Sequence, residues 1–299
     1  MAVGETTTSS LADSKQTIID AARMRREYGT RVVNTVDKRT LAKNTGMKWE
    51  EITIEKIDAA DIDENTDLDN FQQLADTLFA VEPLMIGIST FMTYRAKDKL
   101  ASESLAETGG LMQNAISRNI DQKGITVGDS FSNATSPGAG GTLTHGHIGA
   151  SVVSIQEGGV TAAIAEPWDG PIAAILHSFQ VFDLEVEPLS GIGTYPTPNG
   201  LTEEIYRRGF RGMCRGAEIF TDNLITPDAS DDAKGFVFAS GKGGAIVYVQ
   251  GSSPRMMEKE LPERGGGGQA IYLYNDLAFG IRNANHGREV YSDVTRPTS

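Results

Sequence analysis

A chain of 299 residues, 39% of them hydrophobic, is long enough to bury a sizeable core as one elaborate domain or two closely joined ones. Its formal charge of -13 excludes a protein whose main work is neutralising phosphates, because that work falls to Lys and Arg. The single cysteine, Cys214, excludes an intrachain disulfide. No stretch approaches the roughly 18 apolar residues of a membrane helix, and the first residues lack the apolar centre of a signal peptide.

Charge is divided unevenly along the chain. Residues 1–48 hold nine Lys or Arg against five acids, net +4, with Arg23, Arg25, Arg26, Arg31, Arg39 and Lys43 close together. Residues 49–82 reverse this, with eleven acids against Lys56 alone, net -10; Glu50, Glu51, Asp58, Asp61, Asp63, Glu64, Asp67 and Asp69 are among them. Two readings follow: the arms are separately solvated, or basic arm and acidic arm pair between subunits.

In chain order, Ser10 to Tyr28 reads as a short amphipathic helix through Leu11, Ile18, Ile19 and Ala22, ended by Gly29. Ile52 and Ile54 alternate with charged neighbours between Trp49 and Ile57, the pattern of a half-exposed strand. A second extended run, Leu84 to Tyr94, follows Pro83, and the two are expected to form a two-stranded excursion with its tip near 58–72. Asp98 to Lys123 carries the longest helical pattern, through Leu105, Met112, Ile116 and Ile120, with Gly124 as the expected stop. Gly109 and Gly110 inside it imply a bend or a close neighbouring backbone, since each costs about 1 kcal/mol relative to alanine. A glycine-rich loop runs from Asn133 to Gly141.

The second half predicts a helix from Thr144 to Gln156, a buried strand from Ile172 to Leu176 and a helix from Phe179 to Val186. Strand signals then dominate: Met213 to Phe220, Gly235 to Ala239, Ala245 to Gln250 and Ala270 to Ile281. The class is α+β without an internal repeat.

Four motifs suggest chemistry. Gly128-Asp129-Ser130 follows an expected short apolar strand, Ile125 to Val127, and resembles the nucleophile block of the GDSL-type serine hydrolases, but none of the four histidines has Asp three residues before it. Without an oriented base Ser130 is a poor nucleophile and reads as a turn residue. Ser240 to Gly244 lacks the hydroxyl that a phosphate-binding loop places after its lysine, and reads as a hairpin turn. Gly265 to Gly268 is followed by strand signals and reads as a flexible loop. His145 and His147 fall short of the four ligands of a structural zinc site. No catalytic, cofactor or metal constellation is expected.

Gly170 to Gln180 with Asp183 and Leu184, and Gly209 to Leu224 with its spaced Gly209, Gly212 and Gly216, are similar to segments of the major capsid proteins of tailed phages. Ser178 departs from the proline that many members carry. The order of elements resembles that family's HK-ninety-seven-like fold. The resemblance implies residues 1–48 as an N-terminal arm, 49–97 as an extended β-hairpin loop and 98–141 as a spine helix leading into a peripheral domain. It implies 142–242 as an axial domain and 243–299 as strands returning to the peripheral domain. It further implies no enzyme and no cofactor, but a subunit made in the host cytoplasm that builds the virion capsid from hexamers and pentamers. Portal, scaffold and decoration proteins would be its separate partners, and packaged double-stranded DNA would be enclosed without sequence-specific binding. The expected assembly contact joins Arg23, Arg25, Arg26 and Arg31 to Asp58, Asp61, Asp63, Glu64, Asp67 and Asp69 of adjacent subunits. Encapsulin shells, which share the fold and enclose cargo enzymes, are the nearest rival; a hydrolase built on Ser130 is the other.

Overall fold

The computed structural model describes residues 31–42, 46–54, 56–57, 61, 71, 73–98, 102–131, 136–158, 166–190, 212–263 and 266–297, with the backbone alone for 102–107 and 188–190. The expected helix from Ser10 to Tyr28 lies outside them.

Among the described residues, eleven strands form three sheets. The first has the order β1 (Asp37–Thr40), β9 (Ile246–Leu261), β10 (Gly268–Ile281), β4 (Leu84–Thr93), with β1 parallel to β9 and the rest antiparallel. The second has the order β11 (Gly287–Asp293), β8 (Asp232–Ala239), β5 (Ile172–Leu176), β7 (Ala217–Thr221), β6 (Met213–Cys214). The third is the hairpin of β2 (Trp49–Ile54) and β3 (Asp76–Val81).

The expected excursion is therefore corrected in its pairing. Its strands are β2 and β3, while the run after Pro83 becomes β4 and pairs with β10 from Leu84 to Thr93. Glu82 and Pro83 separate β3 from β4, and a proline cannot donate to a ladder, so one extended run becomes two strands in two sheets. Likewise Met213 to Phe220 is split into β6 and β7 by a turn at Arg215 and Gly216, with φ of 51° and 96°. Only β9 and β10 of the closing strands join the first sheet; β11 pairs with β8 in the second.

Two short helices, α1 (Val32–Thr35) and α2 (Tyr94–Lys97), flank the first sheet, and the long α3 (Ser102–Gly128) lies against β4 and β10. Met112, Ile116 and Ile120 of α3 are buried, whereas Leu111 is exposed. Helix α3 passes uninterrupted through Gly109 and Gly110, and the space around Gly109 is open. It also passes through Gly124, the expected stop, so Ile125 to Val127 is helix and not strand. Close packing explains the glycines there: a Cβ at Gly124 would meet Val32 Cγ1 at 2.6 Å, and one at Gly128 would meet the Phe236 ring at 2.4 Å.

The second sheet carries α4 (His145–Gln156) and α5 (Ser178–Ser190). Every residue of β5 is buried, the mark of a central strand covered on both faces. Gln180 fastens α5 down: its amide donates to the Ala233 carbonyl at 3.0 Å and to Ser292 Oγ at 2.8 Å, while its oxygen accepts the His177 N–H at 2.9 Å. A fully buried amide so satisfied orders the helix without the cost of an unmade hydrogen bond. The turn at Ser240 to Gly244 carries the chain from β8 in the second sheet to β9 in the first, so it is a crossing between sheets and not a hairpin turn. The hairpin turn is instead the one between β9 and β10, through Gly266 and Gly267 at φ of 86° and 88°.

Candidate assembly interface

The β2/β3 hairpin has two unlike faces. Trp49, Phe79 and Val81 pack on Val247, Val249 and Ala278 of the first sheet, the Trp49 and Phe79 rings meeting edge-on at 6.2 Å. On the other face the cross-strand pair Ile52 and Leu78 is 62% and 58% exposed, beside Ile54. Beyond the strands Ile57, Phe71 and Leu74 are exposed too, Phe71 by 91%. Apolar side chains left in water on one face of a hairpin make that face a candidate interaction surface.

Strand β9 offers a second such surface. β1 pairs with it only over Val247 to Gln250, and from Gly251 to Leu261 its outer edge has no partner strand among the described residues. Met256 and Met257 are exposed on that half. Unpaired edge backbone is a template for pairing with another chain.

Charged residues fix the root of the excursion. Arg282 bonds Asp37 at 2.9 Å and Glu51 at 2.7 Å, and Arg39 pairs with Asp37 at 3.1 Å while lying 5.9 Å from the Trp49 ring centre. Burial alone would raise the Asp37 pKa. The Gly243 N–H, Arg282 and Arg39 outweigh it and hold the carboxyl below its ordinary value. Glu51, from the acidic run, is thus satisfied within its own chain.

Of the ten residues expected in the arm-to-arm contact, Arg31 and Asp61 are described, and both are exposed; Arg23, Arg25, Arg26, Asp58, Asp63, Glu64, Asp67 and Asp69 lie outside the described residues. Arg31 stands at the root of α1, where its backbone N–H and that of Val32 donate to the Asp121 carboxylate at 3.1 and 3.0 Å. This anchor was not legible in the sequence, because the partners lie 90 residues apart with no periodic signal.

The remaining candidates have ordinary partners. Ser130 Oγ donates to the Val127 carbonyl at 2.6 Å at the end of α3. The adjacent Asp129 is pushed up to about 6, chiefly by burial, in a cleft of about 320 Å³ shared with Lys234, Asp228 and Tyr291. His145 binds Glu187 at 2.7 Å, joining the start of α4 to α5, and His147 accepts the Thr144 N–H at 3.2 Å. Among the described residues no three His, Cys, Asp or Glu side chains gather as a metal site, and no helix is long and apolar enough to cross a membrane.

No family model matches the sequence, and no curated protein matches it. Solved structures do match, over nearly all of both chains. The capsid protein of cyanophage P-SCSP1u covers 95% of this chain and 95% of its own, at TM-score 0.67 and 11% identity. This chain has the fold of tailed-phage capsid proteins. The acid-stable capsid of Helicobacter pylori bacteriophage KHP30 matches at TM-score 0.67 and 10% identity over 98% and 99% of the chains. The SrpI encapsulin of Synechococcus elongatus PCC 7942 matches at TM-score 0.64 and 9% identity over 98% of each.

Proposed function

We propose that this protein is the major capsid protein of a tailed double-stranded DNA phage, assembling through hexamers and pentamers into the icosahedral head. The observation that carries the reading is the exposed apolar face of β2/β3, on a chain that matches the fold of a phage capsid subunit over 95% of its length. In a shell, Ile52, Ile54 and Leu78 lie over an adjacent subunit, and burial withheld within one chain is completed between chains. Residues 1–48, 49–97, 98–141, 142–242 and 243–299 then serve as arm, extended loop, spine with the start of the peripheral domain, axial domain and closing strands. The net charge of -13 suits a wall that confines DNA without gripping it. A portal and separate scaffold or decoration proteins complete the partner set, the subunit being made in the host cytoplasm and used in the virion.

Electron microscopy of the purified protein tests this. Closed icosahedral shells are expected, and dispersed monomers at high concentration would overturn it. The likeness to SrpI supports a second reading, an encapsulin-type compartment. Particles from infected cells holding genome-length DNA favour the capsid, and particles holding a protein cargo favour the compartment. No catalysis is assigned, and a fluorophosphonate probe is expected to leave Ser130 unlabelled.

A further inference from the structure

Two fully buried carboxyl groups, Asp222 within hydrogen-bonding reach of Asp121, meet where three parts of the chain join. Asp121 comes from α3 and Asp222 from the residue after β7; both have 0% exposure. Asp121 already accepts the N–H groups of Arg31 and Val32 at the root of α1. Asp222 Oδ1 accepts the Leu224 N–H at 2.9 Å, and its own N–H donates to the Leu176 carbonyl of β5 at 2.9 Å. Its Oδ2 has no donor. That oxygen is the anomaly, because a buried acceptor without a partner costs free energy, and a buried carboxylate without one costs more.

We propose that Asp121 and Asp222 share a single proton, Asp222 donating as a neutral acid to the Asp121 carboxylate, and that this proton latches the root of the N-terminal segment to α3 and β7. The proton supplies the missing hydrogen bond and removes one of two like charges. Among the described residues, the groups facing the pair are few. Arg31 stands just before α1, the Leu224 N–H comes from the loop after β7 and the Leu176 carbonyl from β5. His177, next to Leu176, is depressed in pKa by its burial and carries no positive charge at neutral pH to offset the pair. Burial first, then the hydrogen bond and charge of Asp121, push Asp222 up to about 7; Leu224 and Arg31 offset this only in part.

The sign follows from linkage. A carboxyl titrating near 7 in the folded chain and near 3.8 in the unfolded one leaves the folded chain holding an extra proton between those values. The latch is complete below about pH 4 and lost as pH rises through 7. Asp129 and Asp183 also rise to about 6, both chiefly by burial, so their contributions are nearly gone by pH 6.5. Between pH 6.5 and 8, Asp222 should raise the unfolding equilibrium constant about fourfold, against less than about twofold from those two together. This device belongs to the single chain, so its failure would leave the shell reading untouched.

The test compares wild type with Asp222→Asn, which imitates the neutral acid, by chemical unfolding of unassembled subunits at pH 6.5 and 8. The wild type should lose stability across this interval, and the variant should stay nearly flat and be the more stable at pH 8. Equal pH dependence in both would overturn the proposal. Difference infrared spectroscopy of the wild type is independent of any variant's folding. It should show a neutral carboxylic acid band titrating near pH 7; a protein with no such band above pH 6.5 would also overturn it.

Discussion

The second sheet and the β2/β3 hairpin are opposite solutions to the same problem. In the sheet, β5 is buried at every position, α5 is fastened over it by Gln180, and the apolar surface is covered within the chain. In the hairpin one face rests on Val247 and Val249, while Ile52, Ile54 and Leu78 on the other remain in water. The difference teaches how one chain can split its apolar surface: one region covers it within the fold, and the other leaves it exposed, which on the proposed function is the surface offered to neighbours.

The largest expected effect falls on the covered side. Met112, 3% exposed on α3, replaced by Asp would bury an unpaired charge at a cost of several kcal/mol, so Met112→Asp should abolish soluble folded protein. Wild-type melting in that variant would show that the face is not part of the folding core. Deleting residues 55–70 should spare the core but remove the end of the excursion. Size-exclusion chromatography should find folded subunits, and electron microscopy no closed shells; normal shells would remove the excursion from assembly.

Smaller effects sharpen the contrast. Ile52→Ser with Leu78→Ser should change the melting of the isolated subunit by less than about 1 kcal/mol, because both residues are already exposed, while raising the concentration needed for assembly. A large loss of subunit stability would place that face in the folding core instead. The smallest effect per residue belongs to the basic arm. Exposed ion pairs contribute about 0–1 kcal/mol each, so Arg23, Arg25, Arg26 and Arg31 must be changed to Glu together. If they meet acidic arms of neighbours, added salt should weaken wild-type shells and relieve the variant. An identical salt response would mean that these charges are merely solvated.

Local pattern made the covered region legible. The apolar run Ile172 to Leu176, the helix from Thr144 to Gln156 and the stripe Met112, Ile116, Ile120 all stand where periodicity puts them, because burial acts on neighbouring residues in the chain. Gly124 misled, since a glycine admitted for close approach to Val32 looks like a helix stop. Pairing was illegible: β4 could have joined β2, and only the three-dimensional register assigns it to β10. The Asp37, Glu51 and Arg282 cluster was hidden by separations of 231 and 245 residues. The wet face of β2 was misleading: alternation with charged neighbours forecasts Ile52 and Ile54 on the covered face, whereas within the chain they are exposed and Glu51 is held by Arg282.

The central claim is that β2, β3 and the outer half of β9 are completed by other copies of the chain. Amide hydrogen exchange of assembled shells against unassembled subunits measures it most directly. The account predicts that protection on assembly rises at Trp49–Ile54, Asp76–Val81 and residues 251–261, and stays unchanged at the already buried Ile172–Leu176. Equal exchange of the hairpin and of 251–261 in both states would contradict it.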